Sequence, residues 1–325
     1  MALAVLGAGA WGTALAAALS GRIEVSLWAR DAAQARAMAA SRRNQRYLPE
    51  HEIPRQVAVT ADLAEAIAGK ELLIAAVPVA GLRELLGKLR GGTPLVWLCK
   101  GFEERTGLLP HQIAAEALGG SAARGALSGP SFAQEVARDL PCALTLASRD
   151  AAFARSAAAR LHGARLRVYY STDLAGVEVA GAVKNVIAIA VGVCDGLGLG
   201  QNARAALITR GLAEISRLGV ALGGEAATFF GLAGAGDLIL TATGDLSRNR
   251  RVGLALARGE SLPSILKSLG HVAEGVRSAA EAAKLAARLQ VEMPITDAVV
   301  EILGGRLAPA KAAAMLLSRD LKSES

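Results

Sequence analysis

Lys184 stands alone in a long apolar run, Val-Ala-Gly-Ala-Val-Lys184-Asn-Val-Ile-Ala-Ile-Ala-Val-Gly-Val, and is the only charge between Glu178 and Asp195. An ammonium in such a segment carries a large desolvation cost, and burial lowers its pKa. A lysine of that kind exchanges protons near neutral pH, which fits it for acid–base work. The competing reading is a helix lysine that snorkels to water along its own stem.

A second cluster lies further on. Gly231-Leu-Ala-Gly234-Ala-Gly236-Asp237-Leu-Ile-Leu-Thr241 reads as a glycine-rich loop bearing one buried carboxylate. Asp237 could pair with Lys184, orient a substrate hydroxyl, or serve as a turn aspartate bonded to its own backbone. Then comes Ser247-Arg248-Asn249-Arg250-Arg251. Ser247 is a natural N-cap. Three arginines follow in a first helical turn, where the macrodipole disfavours cations. That local conflict resolves if an anion sits at the helix start, gripped by guanidinium and amide together. The alternative is a set of exposed arginines in water.

The third cluster opens the chain. Gly7-Ala-Gly9-Ala10-Trp11-Gly12 has the spacing G-x-G-x-x-G directly after an apolar run, Ala2–Leu6. Gly7 permits a tight turn, Gly9 lets backbone approach a pyrophosphate, and Gly12 lets a helix pack closely on the strand. The helix start supplies N–H donors and a positive dipole end to that anion. After the next apolar run come Trp28-Ala29-Arg30-Asp31. Arg30 favours NADP through its 2′-phosphate, whereas Asp31 is able to take the ribose hydroxyls of NAD. Three further segments end strands on the ligand side: Val77-Pro78, Lys100-Gly101 and Gly129-Pro130-Ser131-Phe132. Lys100 reads equally as a site residue or a strand-ending surface lysine. Pro130 suits a helical first turn, which would aim the Gly129–Ser131 amides at an anion or cofactor.

These residues need a scaffold, and the patterning supplies one. Strands are expected at Ala2–Leu6, Ile23–Trp28, Val57–Thr60, Leu72–Val77, Leu95–Cys99, Ala126–Ser128, Ala143–Ala147 and Leu166–Tyr169. Ala- and Leu-rich helical stretches such as Trp11–Leu19, Ala32–Ser41 and Gly81–Leu89 lie between them. Strand–helix alternation predicts an α/β, doubly wound, Rossmann-type parallel sheet. After about Ser171 strand signals stop. Helical patterns follow at Leu174–Val193, Asn202–Leu222, Asn249–Ala257, Ser261–Leu269, Val276–Leu289, Asp297–Leu303 and Pro309–Leu317. The expectation is a dinucleotide-binding domain over 1–170 and an all-α C-terminal substrate and catalytic domain over 171–325.

The 325 residues allow two domains. The chain is 52% hydrophobic but only 3% aromatic, so its core rests on small aliphatic contacts. A net charge of +7 fits nucleic acid, acidic lipid or an anionic small substrate. No long basic block with aromatic interleaving supports nucleic acid. Cys99, Cys142 and Cys194 form no CxxC pair and no disulfide framework, which fits a reducing compartment. His51, His111, His162 and His271 are scattered and read as surface or structural, so no metal site is expected. Met1–Gly21 lacks charge but also lacks the basic start of a signal peptide. No uncharged apolar stretch elsewhere reaches the length of a membrane span, and the Lys184 segment is interrupted by its own lysine.

Taken in order, the motifs resemble one family. They are Gly-Ala-Gly-Ala-Trp-Gly-Thr-Ala-Leu, Cys-Lys100-Gly-Phe-Glu, Ser-Gly129-Pro-Ser-Phe-Ala133, Ala-Val-Lys184-Asn-Val-Ile-Ala-Ile-Ala, Asn202-Ala-Arg-Ala-Ala-Leu-Ile-Thr-Arg-Gly, Gly-Asp237-Leu-Ile-Leu-Thr and Ser247-Arg-Asn-Arg-Arg. The chain is similar, over nearly its whole length, to the bacterial NAD(P)-dependent glycerol-3-phosphate dehydrogenases. The resemblance implies that Lys184 is the proton acceptor. It implies glycerol-phosphate contacts at Lys100, Gly129, Ser131, Lys184, Asp237, Ser247, Arg248 and Asn249. It implies cofactor contacts at Ala10, Trp11, Arg30, Lys100, Ala133, Arg248, Val272 and Glu274, beside Gly7, Gly9 and Gly12. Position 131 is Ser where some members have Thr. Position 10 is Ala where others have Ser, so only its backbone N–H serves the pyrophosphate. The implied reaction is reversible hydride transfer between NAD or NADP, with NADP preferred, and dihydroxyacetone phosphate or sn-glycerol 3-phosphate. The family setting is cytoplasmic supply of glycerol phosphate for phospholipid synthesis, with a homodimer as one possible assembly. The rivals are a related reductase of another small oxo-acid or sugar phosphate, and a dinucleotide-sensing module without turnover.

Overall fold

A computed structural model of the chain describes residues 2–90, 92–119, 123–270 and 273–318. The strands are β1 (Ala2–Leu6), β2 (Glu24–Trp28), β3 (Arg43–Asn44), β4 (Leu48–Glu52), β5 (Val57–Thr60), β6 (Leu72–Ala75), β7 (Leu95–Trp97), β8 (Arg124–Ser128), β9 (Cys142–Ala147) and β10 (Leu166–Ser171). Eight of them form one sheet in the order β10-β9-β8-β7-β6-β1-β2-β5. The middle strands are continuous apolar runs because helices cover both of their faces. From β1 the chain builds outward through β2 and β5, then returns to the other side of β1 and builds through β6 and β7. The reversal between β1 and β6 is a topological switch point, where open α/β sheets bind ligands.

Seven helices belong to this part: α1 (Ala10–Leu19), α2 (Ala32–Ser41), α3 (Leu63–Ile67), α4 (Val79–Lys88), α5 (Pro110–Leu118), α6 (Ala133–Ala137) and α7 (Ala151–Leu161). The expected all-parallel pairing has one exception. β8 and β9 are antiparallel. The short α6 between them packs along α1 and does not cross the sheet, so the chain turns back. β3 and β4 form a separate antiparallel hairpin that the polar, proline-containing sequence did not announce.

Helices make up the rest: α8 (Leu174–Gly196), α9 (Gly200–Ala221), α10 (Ala226–Phe229), α11 (Asp237–Thr243), α12 (Arg248–Ala257), α13 (Leu262–Leu269), α14 (Glu274–Arg288), α15 (Pro294–Leu303) and α16 (Pro309–Leu317). The segment expected as a glycine-rich loop before Thr241 is helical instead. Leu232–Gly236 forms a π-turn that runs straight into α11. Gly234 permits this, because a Cβ there would lie 2.1 Å from the Phe229 carbonyl oxygen.

The chain divides into two compact units, Met1–Lys100 with Leu108–Glu178, and Gly101–Gly107 with Val179–Ser325. The first unit therefore continues past residue 170, because the first turn of α8 belongs with it. Asp173 starts that helix by accepting from the Gly176 N–H at 2.8 Å. By length and composition Leu174–Gly196 and Ala226–Thr243 could each cross a membrane. The apolar window of the first is wholly buried by the protein itself, and the second is broken by the π-turn. In the second unit α8 is the core helix, with Val183, Val186, Ile187 and Ile189 fully buried.

Candidate functional site

In the first unit the Gly7–Gly12 loop caps the switch point. Gly7 has φ +128°, and a Cβ there would lie 2.5 Å from the Ala76 carbonyl oxygen after β6. A Cβ on Gly12 would lie 2.0 Å from the Gly7 carbonyl oxygen. Both positions therefore exclude side chains on steric grounds. Gly9 differs, since a Cβ there would meet nothing within 4 Å. The open space would admit a pyrophosphate approaching the backbone. Gly9 caps α1 without a side-chain hydrogen bond, and the first turn, from Ala10 and Trp11, holds no acidic residue. The helix start thus keeps its donors and positive end for an outside anion.

Two residues that sequence reasoning passed over hold this loop from behind. Asn44, fully buried on β3, donates to the Ala8 carbonyl at 3.0 Å and to the Thr13 hydroxyl at 2.8 Å. Gln34 donates to the same carbonyl at 3.1 Å. Anchoring the Ala8 carbonyl on the protein side fixes the orientation of the following peptide. No motif flags Asn44, because its partner is 36 residues away.

Trp11 joins the fingerprint to the Gly-Pro-Ser segment. Its indole N–H donates to the Ser131 carbonyl at 3.0 Å and hydroxyl at 3.1 Å. Gly129 has φ +139° and sits against Ala143 and Leu144, so glycine is required there. Lys100 reaches this segment, with Nζ 3.3 Å from the Gly129 carbonyl oxygen. Pro130 does not open a helix as expected. The helix begins at Ala133 with Phe132 as its N-cap, so Gly129–Ser131 form the preceding turn. Arg30 is exposed and meets only a loose pairing with Glu84 at 3.8 Å among its ion pairs. Asp31 is occupied as the N-cap of α2, accepting from the Ala33 and Gln34 N–H groups. Those bonds, that from Gln34 first, hold its carboxyl below the usual range.

In the second unit Lys184 is buried, and its Nζ lies 2.5 Å from Asp237 Oδ1 and 2.7 Å from the Thr241 hydroxyl. Asp237 is the first residue of α11, and Thr241 follows one turn later. Of the three roles open to Asp237, pairing with Lys184 is the one observed. Thr241 was missed as a partner because it was read inside a loop. A buried ammonium held by a carboxylate and a hydroxyl is an oriented proton donor, and its neutral amine an oriented acceptor.

Small residues bring the other groups to α8. A Cβ on Gly253 would lie 2.1 Å from the Ile189 carbonyl oxygen, and one on Gly275 would lie 2.5 Å from the Asn185 carbonyl oxygen. So α12 and the start of α14 touch α8 backbone to backbone. Asn249 bridges them, donating to Asn185 Oδ1 at 2.8 Å and accepting the Gly275 N–H at 3.0 Å. Its side-chain amide is thus committed within the protein, which leaves its backbone N–H for a ligand. Ser247 caps α12 by accepting the Arg250 N–H at 3.2 Å. Arg248 extends to the surface. Burial of its surroundings pushes its guanidinium down from the ordinary value, and Glu274 pushes it back up. Glu274 itself is held above the usual glutamate range by burial, against the pull of Arg277 and Arg248. Val272 lies outside the described residues.

Two buried carboxylates are structural. Glu178 accepts from the Trp97 indole N–H at 2.7 Å and pairs with His111 at 2.5 Å. Glu214 accepts the Ile295 and Thr296 N–H groups that open α15. Among the described residues no group of His, Cys, Asp and Glu side chains could hold a metal ion.

Comparison with known proteins bears on both units. Residues 2–154 match the model of the NAD-dependent glycerol-3-phosphate dehydrogenase N-terminus, and residues 173–314 match that of its C-terminus. A glycerol-3-phosphate dehydrogenase [NAD(P)+] of Dechloromonas aromatica is 59% identical over 327 residues, covering 100% of this chain and 99% of its own. The crystal structure of glycerol-3-phosphate dehydrogenase from Coxiella burnetii is 41% identical with a TM-score of 0.93, covering 98% of this chain and 99% of its own. The enzyme from Saccharomyces cerevisiae gives 25% identity and a TM-score of 0.82, covering 97% and 99%.

Proposed function

The chain belongs to the NAD-dependent glycerol-3-phosphate dehydrogenase family, and from that premise we propose how its residues divide the reaction. It is an oxidoreductase that reduces dihydroxyacetone phosphate to sn-glycerol 3-phosphate, reversibly, with NAD(P)H. The product serves phospholipid synthesis. The observation that carries the mechanism is the buried Lys184–Asp237–Thr241 cluster. Lys184 gives a proton to the C2 oxygen as hydride reaches C2, and takes it back in the oxidative direction. Asp237 and Thr241 hold the ammonium in one orientation, which general acid catalysis needs before the substrate arrives. Arg248, the Asn249 N–H and Ser247 take the phosphate. Binding energy at that remote group positions C2 for reaction. Lys100, Gly129 and Ser131 complete the substrate contacts.

The reduced nicotinamide supplies the hydride when bound. Gly7, Gly9, Ala10, Trp11 and Gly12 receive its pyrophosphate, with Ala133, Lys100, Arg248, Val272 and Glu274 as further contacts. The space at Gly9 and the uncapped start of α1 support this placement. NADP is preferred, because Arg30 is exposed for a 2′-phosphate while Asp31 is occupied as a helix cap. The pyrophosphate-binding residues fall within 1–170, the dinucleotide-binding domain, and the acid–base and phosphate residues within 171–325, the substrate and catalytic domain. The setting is cytoplasmic, the assembly a homodimer, and nucleic acid is not a partner.

The direct test follows oxidation of NADPH and NADH with dihydroxyacetone phosphate, other oxo-acids and sugar phosphates. Turnover confined to dihydroxyacetone phosphate is expected, and faster turnover of another substrate would overturn the assignment. Arg30→Ala should lower the NADPH to NADH preference, since the side chain is exposed and its pairing with Glu84 is loose. An unchanged ratio removes Arg30 from cofactor selection.

A further inference from the structure

The three arginines that open α12 are not equivalent. Arg250 turns inward. Its Nε donates to Asp195 Oδ2 at 2.8 Å and a terminal nitrogen donates to Asp245 at 2.9 Å. Its side chain is 12% exposed, and that of Asp195 only 6%. The other oxygen of Asp195 accepts Arg204 Nε at 2.6 Å, from the start of α9. One buried carboxylate therefore joins the end of α8, the beginning of α9 and the first turn of α12.

Each partner stands where its own helix disfavours it. Asp195 lies in the last turn of α8, at the negative end of that dipole. Arg250 lies in the first turn of α12, at the positive end. Pairing removes both conflicts at once. For Arg250, the anion that the sequence calls for is internal. Arg248, two residues earlier, keeps its guanidinium outside this network.

The contact between α8 and α12 explains why such a pair is needed. A Cβ on Gly192 would lie 2.1 Å from the Arg250 carbonyl oxygen, and one on Gly196 would lie 2.6 Å from Ala257 Cβ. A seam of glycine and alanine lets backbones approach but offers little relief to stop one helix sliding or rotating on the other. A buried carboxylate held by a different arginine on each of its two oxygens has little freedom to shift. We propose that Asp195 is a positioning residue for substrate phosphate, acting through Arg250 to fix the register of α12 and hence the aim of Ser247, Arg248 and Asn249. The inference rests on the reading of that turn as the phosphate site.

The test is Asp195→Asn, assayed on dihydroxyacetone phosphate and on dihydroxyacetone, which lacks the phosphate. KM for the phosphorylated substrate should rise about ten- to a hundredfold, the cost of misplacing a binding group by an ångström or so. The kcat/KM for dihydroxyacetone should stay within about twofold. Arg250→Met should raise the same KM, and the double variant should be no worse than either single one. Equal losses on both substrates would make Asp195 a general structural residue. A KM that is unchanged or lowered in Asp195→Asn, with Arg250→Met impaired, would make Arg250 a direct phosphate ligand. If Asp195→Asn does not fold, Asp195→Glu carries the test. It keeps the charge and displaces the carboxylate from Arg250 by one methylene, and an unchanged KM for dihydroxyacetone phosphate then overturns the inference. Wild-type protein inactive on that substrate would refute the functional reading itself, which is a different outcome from an active wild type with normal variants.

Discussion

Removing Lys184 perturbs two things, and the structure separates them. Lys184→Met deletes the ammonium 2.5 Å from Asp237 and leaves that carboxylate buried, its side chain 2% exposed. The Thr241 hydroxyl lies 3.5 Å from it. Breaking a buried pair from one side costs about 3–5 kcal/mol. Native stability is about 5–15 kcal/mol, so the single variant should melt well below wild type. Adding Asp237→Asn removes the buried charge, and exchanging a buried pair for neutral groups is close to neutral in stability. The double variant should regain most of the lost Tm. Catalysis should not follow. Loss of general acid help lowers kcat by about 10²–10⁴, or about 2.7–5.5 kcal/mol of barrier. The assay is a double-mutant cycle read twice, by urea unfolding and by steady-state turnover of dihydroxyacetone phosphate with NADPH. A large coupling energy is expected in stability and little recovery in kcat. If Lys184→Met/Asp237→Asn recovers activity together with stability, Lys184 is a structural cation and the proton-transfer role is wrong.

Other outcomes follow from single groups. Asn44→Ala frees the Ala8 carbonyl from one of its two side-chain donors, and should raise KM for NADH and NADPH by the same factor, about tenfold, from the roughly 1–3 kcal/mol of an unmet buried bond. A change in one cofactor alone would contradict its role behind the shared pyrophosphate loop. Glu214→Ala should lower stability by about 1–3 kcal/mol in urea unfolding, because the Ile295 and Thr296 N–H groups lose their acceptor. A loss below about half a kcal/mol would mean the helix finds another cap. Glu274 has a raised pKa, so the folded state holds its proton more tightly than the unfolded one. Its contribution to stability is full below the unfolded value of about 4.3 and is lost as pH rises through the raised value. Glu274→Gln stays neutral throughout, so the variant's Tm relative to wild type should climb as pH rises above about 4.3, and a constant difference would refute the raised pKa.

The strands and helices were largely legible, since burial on both sheet faces leaves continuous apolar runs such as Leu72–Ala75 and helices leave Ala- and Leu-rich stretches such as Ala32–Ser41. Gly7 and Gly12 were readable because the constraint is local, a positive φ and a helix resting on the turn just before it. Ser247 was readable as a cap for the same reason. The hairpin β3–β4, the antiparallel β8–β9 pair and the helical Leu232–Gly236 turn were not, because each depends on what packs against it. So does the sorting of charges. The sequence by itself marks Lys184 and Arg250 as charges in costly places. Only the tertiary structure gives the first Asp237 and the second Asp195, partners 53 and 55 residues distant, since a buried charge is satisfied by whatever the fold brings within hydrogen-bond reach.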